Sequence, residues 1–324
     1  MKTNHILRLA IVIACAGAVY ACKKSNSGSS TPGQTTANLQ VQSDDQTRVN
    51  NETDAIANDV NLTLSSPGAS SASGASYRGQ VETAGLVTIK SLICDASVAA
   101  DTTDNPRTFT ITYNGANCSG TRTRTGTVVV SIPAGQHWRD AGTTITVSIQ
   151  NLKITRLRDN KTIILNGTHL YTNVSGGSLI NLPTLGSITH TITGDSMSIT
   201  FDDGSQRLWN FARKRVYTYN DGVAITTTGM HSDGTNTGIA AWGTNRYGNS
   251  FEAIITQPFV IMQDCNFRLT AGSEEILRPD ITINVTFGLD STGNATSCPG
   301  LGAYYFKAAW QGPGGGSGSV ILPY

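Results

Sequence analysis

The chain has 324 residues, of which 7% are aromatic and 14% charged, with 34 glycines and a formal net charge of +1. So balanced a chain lacks the concentrated basic surface that nucleic acid requires, and it offers no polybasic patch to an anionic membrane. The length admits one large β domain or two smaller ones, each with a buried core.

Lys2 and Arg8 precede an apolar run over 9–19, which is too short to span a bilayer and reads as the core of a signal peptide covering 1–21. The run ends in Val19-Tyr20-Ala21-Cys22, followed by Lys23-Lys24-Ser25. An aliphatic residue at −3 and a small one at −1 before a cysteine resemble a bacterial lipoprotein signal, which makes Cys22 the expected acceptor of a diacylglycerol group. The rival site at Cys15 would leave only about six apolar residues, below the usual length of such a segment. The Ser, Gly, Thr and Pro content of 22–42 predicts a flexible tether. A helix is predicted over 43–64, where Ser43 can cap, Asp44 and Asp45 favour the N-terminus, and Val49, Ile56 and Val60 share one stripe. That stripe is narrow, so the helix is expected either to pack weakly on the β domain or to fray. A second low-complexity linker covers 65–85.

From 86 to 324 every persuasive segment alternates with period 2, as half-buried strands do. Phe109, Ile111 and Tyr113 point one way from 107–113 and the threonines between them point the other. Further strands are predicted at 86–93, 121–132, 143–149, 152–157, 162–173, 186–193, 197–201, 207–219, 251–256, 280–287, 303–310 and 320–324. Asp159-Asn160, Asp202-Asp203-Gly204, Asn220-Asp221-Gly222 and Ser232-Asp233-Gly234 are hairpin turn formers between them. Strands joined by short turns imply an antiparallel meander rather than helical crossovers. The expected fold is all-β: a large twisted sheet, sandwich or half-barrel with one N-terminal helix.

Beyond Cys15 and Cys22, four cysteines remain, and they permit three pairings. Cys94 with Cys118 and Cys265 with Cys298 are preferred, because each pair brackets a hairpin-like unit. Such loops would stabilise the fold by roughly 3–4 kcal/mol. The two units are candidate pseudo-repeats. Neither pair has the spacing or the nearby histidine of a zinc site, and no cofactor is predicted.

Gly194-Asp195-Ser196-Met197 looks like the nucleophile block of GDSL-type esterases, yet it sits mid-chain between β segments and no histidine follows an aspartate by three. It reads as a turn, and no Gly-x-Ser-x-Gly elbow exists. His169 and His190 are a cross-strand pair rather than metal ligands. The row most open to a binding role is Trp209, Phe211, Arg213, Arg215, Tyr217 and Tyr219, which share one strand face. Such a ladder can stack on sugar rings or hold an anionic head group, or it can be core, with its arginines paired to carboxylates of neighbouring strands. Arg122 and Arg124 share a face with Val128 and Val130 unless a bulge at Gly126 shifts the register, and cross-strand ion pairs are expected there too.

Cys94, Asp104-Asn105-Pro106-Arg107, Thr110-Ile111, Gly115, Cys118-Ser119-Gly120, Arg122 through Gly126, Cys265 and Cys298 together resemble a group of uncharacterised lipoproteins of the Bacteroidetes type. The resemblance covers most of the mature chain and implies anchoring in the cell envelope, with the outer membrane as the expected location. It implies no particular activity. Lys23-Lys24 stands where surface-directed members of that group carry acidic residues, which leaves the periplasmic and external faces both open. The expected function is that of a lipid-anchored, non-catalytic structural or binding module, whose partners are the membrane and a glycan, lipid or envelope protein. The alternatives are carbohydrate or lipid binding through the 209–219 row, or hydrolysis.

Overall fold

The computed structural model describes residues 32–65, 77–78, 93–298, 302–311 and 316–324. Among the described residues helix α1 (Pro32–Ser65) comes first, followed by sixteen strands. These are β1 (Tyr77–Arg78), β2 (Ala96–Asp101), β3 (Arg107–Ala116), β4 (Arg122–Ile132), β5 (Thr143–Arg156), β6 (Thr162–Asn173), β7 (Ser187–Phe201) and β8 (Gln206–Tyr219). The second half holds β9 (Val223–Gly229), β10 (His231–Ser232), β11 (Thr237–Thr244), β12 (Ser250–Met262), β13 (Arg268–Arg278), β14 (Ile281–Leu289), β15 (Tyr305–Gln311) and β16 (Ser317–Pro323). A short α2 (Leu182–Leu185) sits between β6 and β7. Met1–Ala37 and Asn38–Tyr324 are separate compact units, so the sheet and α1 from Asn38 onward belong together.

Among the described residues all pairing is antiparallel and almost wholly sequential, the meander that the turn chemistry predicts. The departure lies between β8 and β12. The second half of β8, Arg213 to Tyr219, pairs with β9, while Leu208 to Phe211 pair with β11. β12 repeats the division, so β9 and β11 lie end to end between two long strands. Gly229 and Gly238 meet at that junction, and a Cβ on Gly229 would fall 2.0 Å from the Gly238 carbonyl oxygen.

Two predicted strand pairs merge. Segments 143–149 and 152–157 form the single strand β5, and 186–193 and 197–201 form β7. In each, one extra residue interrupts the alternation: Asn151 (φ 47°) in β5 and Ser196 (φ 55°) in β7. A bulge of this kind reverses which parity faces inward. Inward residues accordingly run Ile145, Val147, Ile149 and then Leu152, Ile154. The Gly194-Asp195-Ser196 stretch is therefore a bulge in a continuous strand rather than a turn. Gly126 lies across from the first bulge, where a Cβ would stand 2.5 Å from the Asn151 carbonyl oxygen. The extra residue is on β5, so Arg122 and Arg124 stay on the face of Val128 and Val130. Asn114-Gly115, a dipeptide of the kind that forms hairpin turns, lies inside β3. The predicted strand 86–93 lies outside the described residues except for Ile93; of the predicted linker 65–85 the described residues are Ser65, which ends α1, and Tyr77–Arg78, which form β1 rather than linker.

The helix departs most from expectation. It starts at Pro32 rather than Ser43, so 32–42 is helical and not a tether. Ser43, expected as a cap, is mid-helix, and its hydroxyl donates to the Leu39 carbonyl (2.9 Å). Thr53 and Thr63 bond back to Val49 and Asp59 in the same way, which satisfies hydroxyls that have no access to water. Nor is the packing weak. Val49, Ile56 and Val60 are fully buried, and so are Gln46 and Asn50 on the helix's other sides. A helix polar all round is stable in that position only if its surroundings are polar too. The sheet supplies them by wrapping around it.

Candidate functional site

Trp209, Phe211, Arg213, Arg215 and Tyr217 do share a face, but that face meets α1 instead of an open groove. Each of the five is no more than 2% exposed, and Tyr219, at the strand end, packs partly buried against the same core. The binding row proposed from sequence is therefore a helix seat. The physical reason is spacing. Alternate residues of a strand advance about 6.6 Å and one helical turn about 5.4 Å, so the two can exchange partners over several turns. Gln46, Asn50, Asp54, Asn58 and Asn61 form one polar stripe at intervals of four, four, four and three. Arg207 donates to Gln46 Oε1, Arg213 to Asn50 Oδ1 (2.5 Å), and Arg215 to Asn58 Oδ1 (2.9 Å). Asp54 stands 3.6 Å from Arg213, and Asn61 Nδ2 donates to the Tyr217 hydroxyl (2.7 Å). This stripe was visible in the sequence as recurrent Gln, Asn and Asp. Attention to the apolar stripe alone misses it.

Arginines from other strands converge on the same helix. Arg124 donates to both oxygens of Asp95 (2.6 and 2.7 Å) and to Asp59 of α1 (2.8 Å), with its guanidinium over the Tyr113 ring. The Tyr113 hydroxyl donates to the same Asp59 oxygen (2.9 Å). Arg122 pairs with Glu52 (3.2 Å), Arg156 grips Asp44 with two bonds of 2.7 Å, and Arg246 does the same to Asp45. Arg278 and Asn245 both donate to Gln42 Oε1. The expected partners, carboxylates on adjacent strands, are thus replaced chiefly by side chains of the helix. Arg48 runs the other way, donating from α1 to the carbonyls of Ile154 and Lys161. Bidentate, charge-assisted contacts of this kind fix orientation as well as contributing energy.

Burial dominates the titration of the groups caught in this seam. Glu274 accepts from Asn50 Nδ2 (3.1 Å), and burial pushes its carboxyl up to about 7 despite the opposing pull of Arg213. His169 and His190 are both lowered to about 3, first by burial and then by Arg213 and Arg215 respectively. They are neutral at physiological pH. They also do not face each other: His169 stands opposite Gly194, and His190 opposite Asn173. His169 lies edge-on to Phe211 with Nε2 3.0 Å from Met197 Sδ. Gly194 is accounted for by this contact, because a Cβ there would sit 2.6 Å from the Phe211 ring. Ser196 is exposed on the bulge, where its backbone N–H donates to Asn210 Oδ1 (2.7 Å). Among the described residues no group of three His, Cys, Asp or Glu side chains is arranged to hold a metal ion.

Cys94 pairs with Cys118 and Cys265 with Cys298, at Cα separations of 5.1 and 5.2 Å, as their bracketing positions predict. The first bridge adjoins Asp95 and so ties that carboxylate to the β3–β4 hairpin that carries Arg124. Cys22 lies outside the described residues. No family model, curated protein or solved structure matches the chain.

Proposed function

We propose that this chain is a lipid-anchored envelope lipoprotein whose β domain is a non-catalytic structural or binding module. The observation that carries the reading is the Val19-Tyr20-Ala21-Cys22 context behind a basic and apolar leader. The two disulfides support it, since bridges of this kind persist in oxidising compartments. The inner face of the sheet is given over to holding α1, so a glycan, lipid or envelope partner would meet the outer, threonine-rich face or the turns. The resemblance to Bacteroidetes-type lipoproteins points to the outer membrane.

Detergent phase partitioning tests the anchor. The mature protein should enter the detergent phase and incorporate a labelled fatty acid, and Cys22→Ser should move it to the aqueous phase without label. Wild-type protein that is aqueous and unlabelled would end the proposal.

A further inference from the structure

Four inward-facing polar residues lie in one row across β6, β7, β8 and β9: Asn173 pairs with His190, His190 with Arg215, and Arg215 with Thr227. None is more than 3% exposed. Each carries a side-chain atom with no partner among the described residues: Asn173 Oδ1, His190 Nε2, Arg215 Nε and Nη1, and Thr227 Oγ1. Buried polar atoms are otherwise satisfied in folded proteins, so such a run in register marks a place that takes something up.

The chemistry of the row is mainly that of donors. Trp138 Nε1, which can only donate, bonds to Asn61 Oδ1 (3.1 Å) and so orients that amide. Asn61 Nδ2 then faces His190 Nδ1 (3.5 Å), which must accept, and the ring proton of the neutral histidine is left on Nε2. Arg215 contributes further N–H groups, and the Thr227 hydroxyl can donate. Asn173 Oδ1, the one pure acceptor, lies beyond His190, two strand spacings from Arg215.

Charge points the same way. Arg207, Arg213 and Arg215 all face inward from β8, whereas Asp54 and Glu274 are the carboxylates directed at them that no other guanidinium grips; Asp45 is held by Arg246. Arg215's own hydrogen bond goes to the neutral Asn58 amide, and Asp54 sits closer to Arg213. Although Tyr217, Asp54 and Tyr171 together favour the Arg215 charge against burial, its Nε and Nη1 have no acceptor among the described residues, and a buried donor left without one is costly. We infer that the row binds a small monovalent anion of the chloride class, held by Arg215 and Thr227 with the His190 Nε2–H beside them. The site would be a structural one, locking β7, β8 and β9 together under the C-terminal half of α1, and it stands independently of the lipid anchor.

The test is thermal unfolding of the full mature chain in detergent, in sodium chloride against sodium gluconate at matched ionic strength. The midpoint should rise with the logarithm of chloride concentration, as for a ligand that binds only the native state. Gluconate, too large for the row, should give no rise. Thr227→Val, which keeps the side-chain shape, should weaken the apparent chloride affinity about tenfold, the worth of one hydrogen bond to an ion. Crystals grown in bromide should show an anomalous peak between Arg215 and Thr227. Equal midpoints in the two salts, a chloride response unchanged in Thr227→Val, or only water beside Arg215 would each overturn the inference.

Discussion

Replacing Arg124 with methionine should reveal how firmly the helix is held. The guanidinium is 3% exposed and makes three charge-assisted bonds, two to Asp95 and one to Asp59. Methionine fills most of the volume but leaves both carboxylates without a cation in a site closed to water. Breaking a buried pair from one side costs about 3–5 kcal/mol, because the surviving charge keeps its desolvation penalty. The Tyr113 hydroxyl still bonds to Asp59, which places the expected loss near the middle of that range. Urea unfolding followed by the fluorescence of the buried Trp138 and Trp209 measures it, with an unchanged slope showing that the same surface is exposed. Adding Asp59→Asn should recover part of the loss, since it removes one stranded charge and the two sites share a contact. A cost under about 1 kcal/mol for Arg124→Met, or strict additivity in the double variant, would refute the claim that this cluster anchors α1 to β3 and β4.

Ile56→Ala, in the middle of α1, should cost about 2–5 kcal/mol of global stability, whereas a frayed surface helix would lose almost nothing by the same assay. Glu274 lies above its ordinary range in the folded chain, so its protonated form is favoured on folding; the stability it contributes is present at acid pH and fades as pH rises through about 7. Glu274→Gln should therefore gain on the wild type by on the order of 3 kcal/mol between pH 4.5 and 8, and a difference flat across that window would contradict the burial argument. His169 and His190 act in the opposite sense, withdrawing stability as pH falls below about 6.5, but they are common to both proteins and cancel in the comparison. Gly126→Ala should destabilise by roughly 1–3 kcal/mol, because a Cβ there meets backbone and φ is 129°. Equal stability would mean that the bulge at Asn151 is free to shift.

Local rules read most of the meander, although β2, β9, β11 and β13 are not among the predicted strands. Alternation in 107–113, 162–173 and 207–219 is a property of neighbours along the chain, and turn dipeptides such as Asn220-Asp221-Gly222 act within four residues, so both are legible without a fold. Cysteine pairing followed from the same local brackets. Where a single residue was inserted, as at Asn151 and Ser196, the period broke and one strand read as two, because only the partner strand reveals that pairing resumes beyond the bulge. The helix was beyond such rules altogether. Its Asn, Asp and Thr content has little intrinsic helical preference, and its apolar stripe is too narrow to account for its burial. What holds it is a set of arginines from β4, β5, β8 and the β11–β12 turn, distant in sequence and brought to one axis only when the sheet packs against it. The same packing settled the character of the Trp209 to Tyr217 face: a strand's pattern tells which side chains travel together, while whether they meet water or a helix depends on what the rest of the chain places over them.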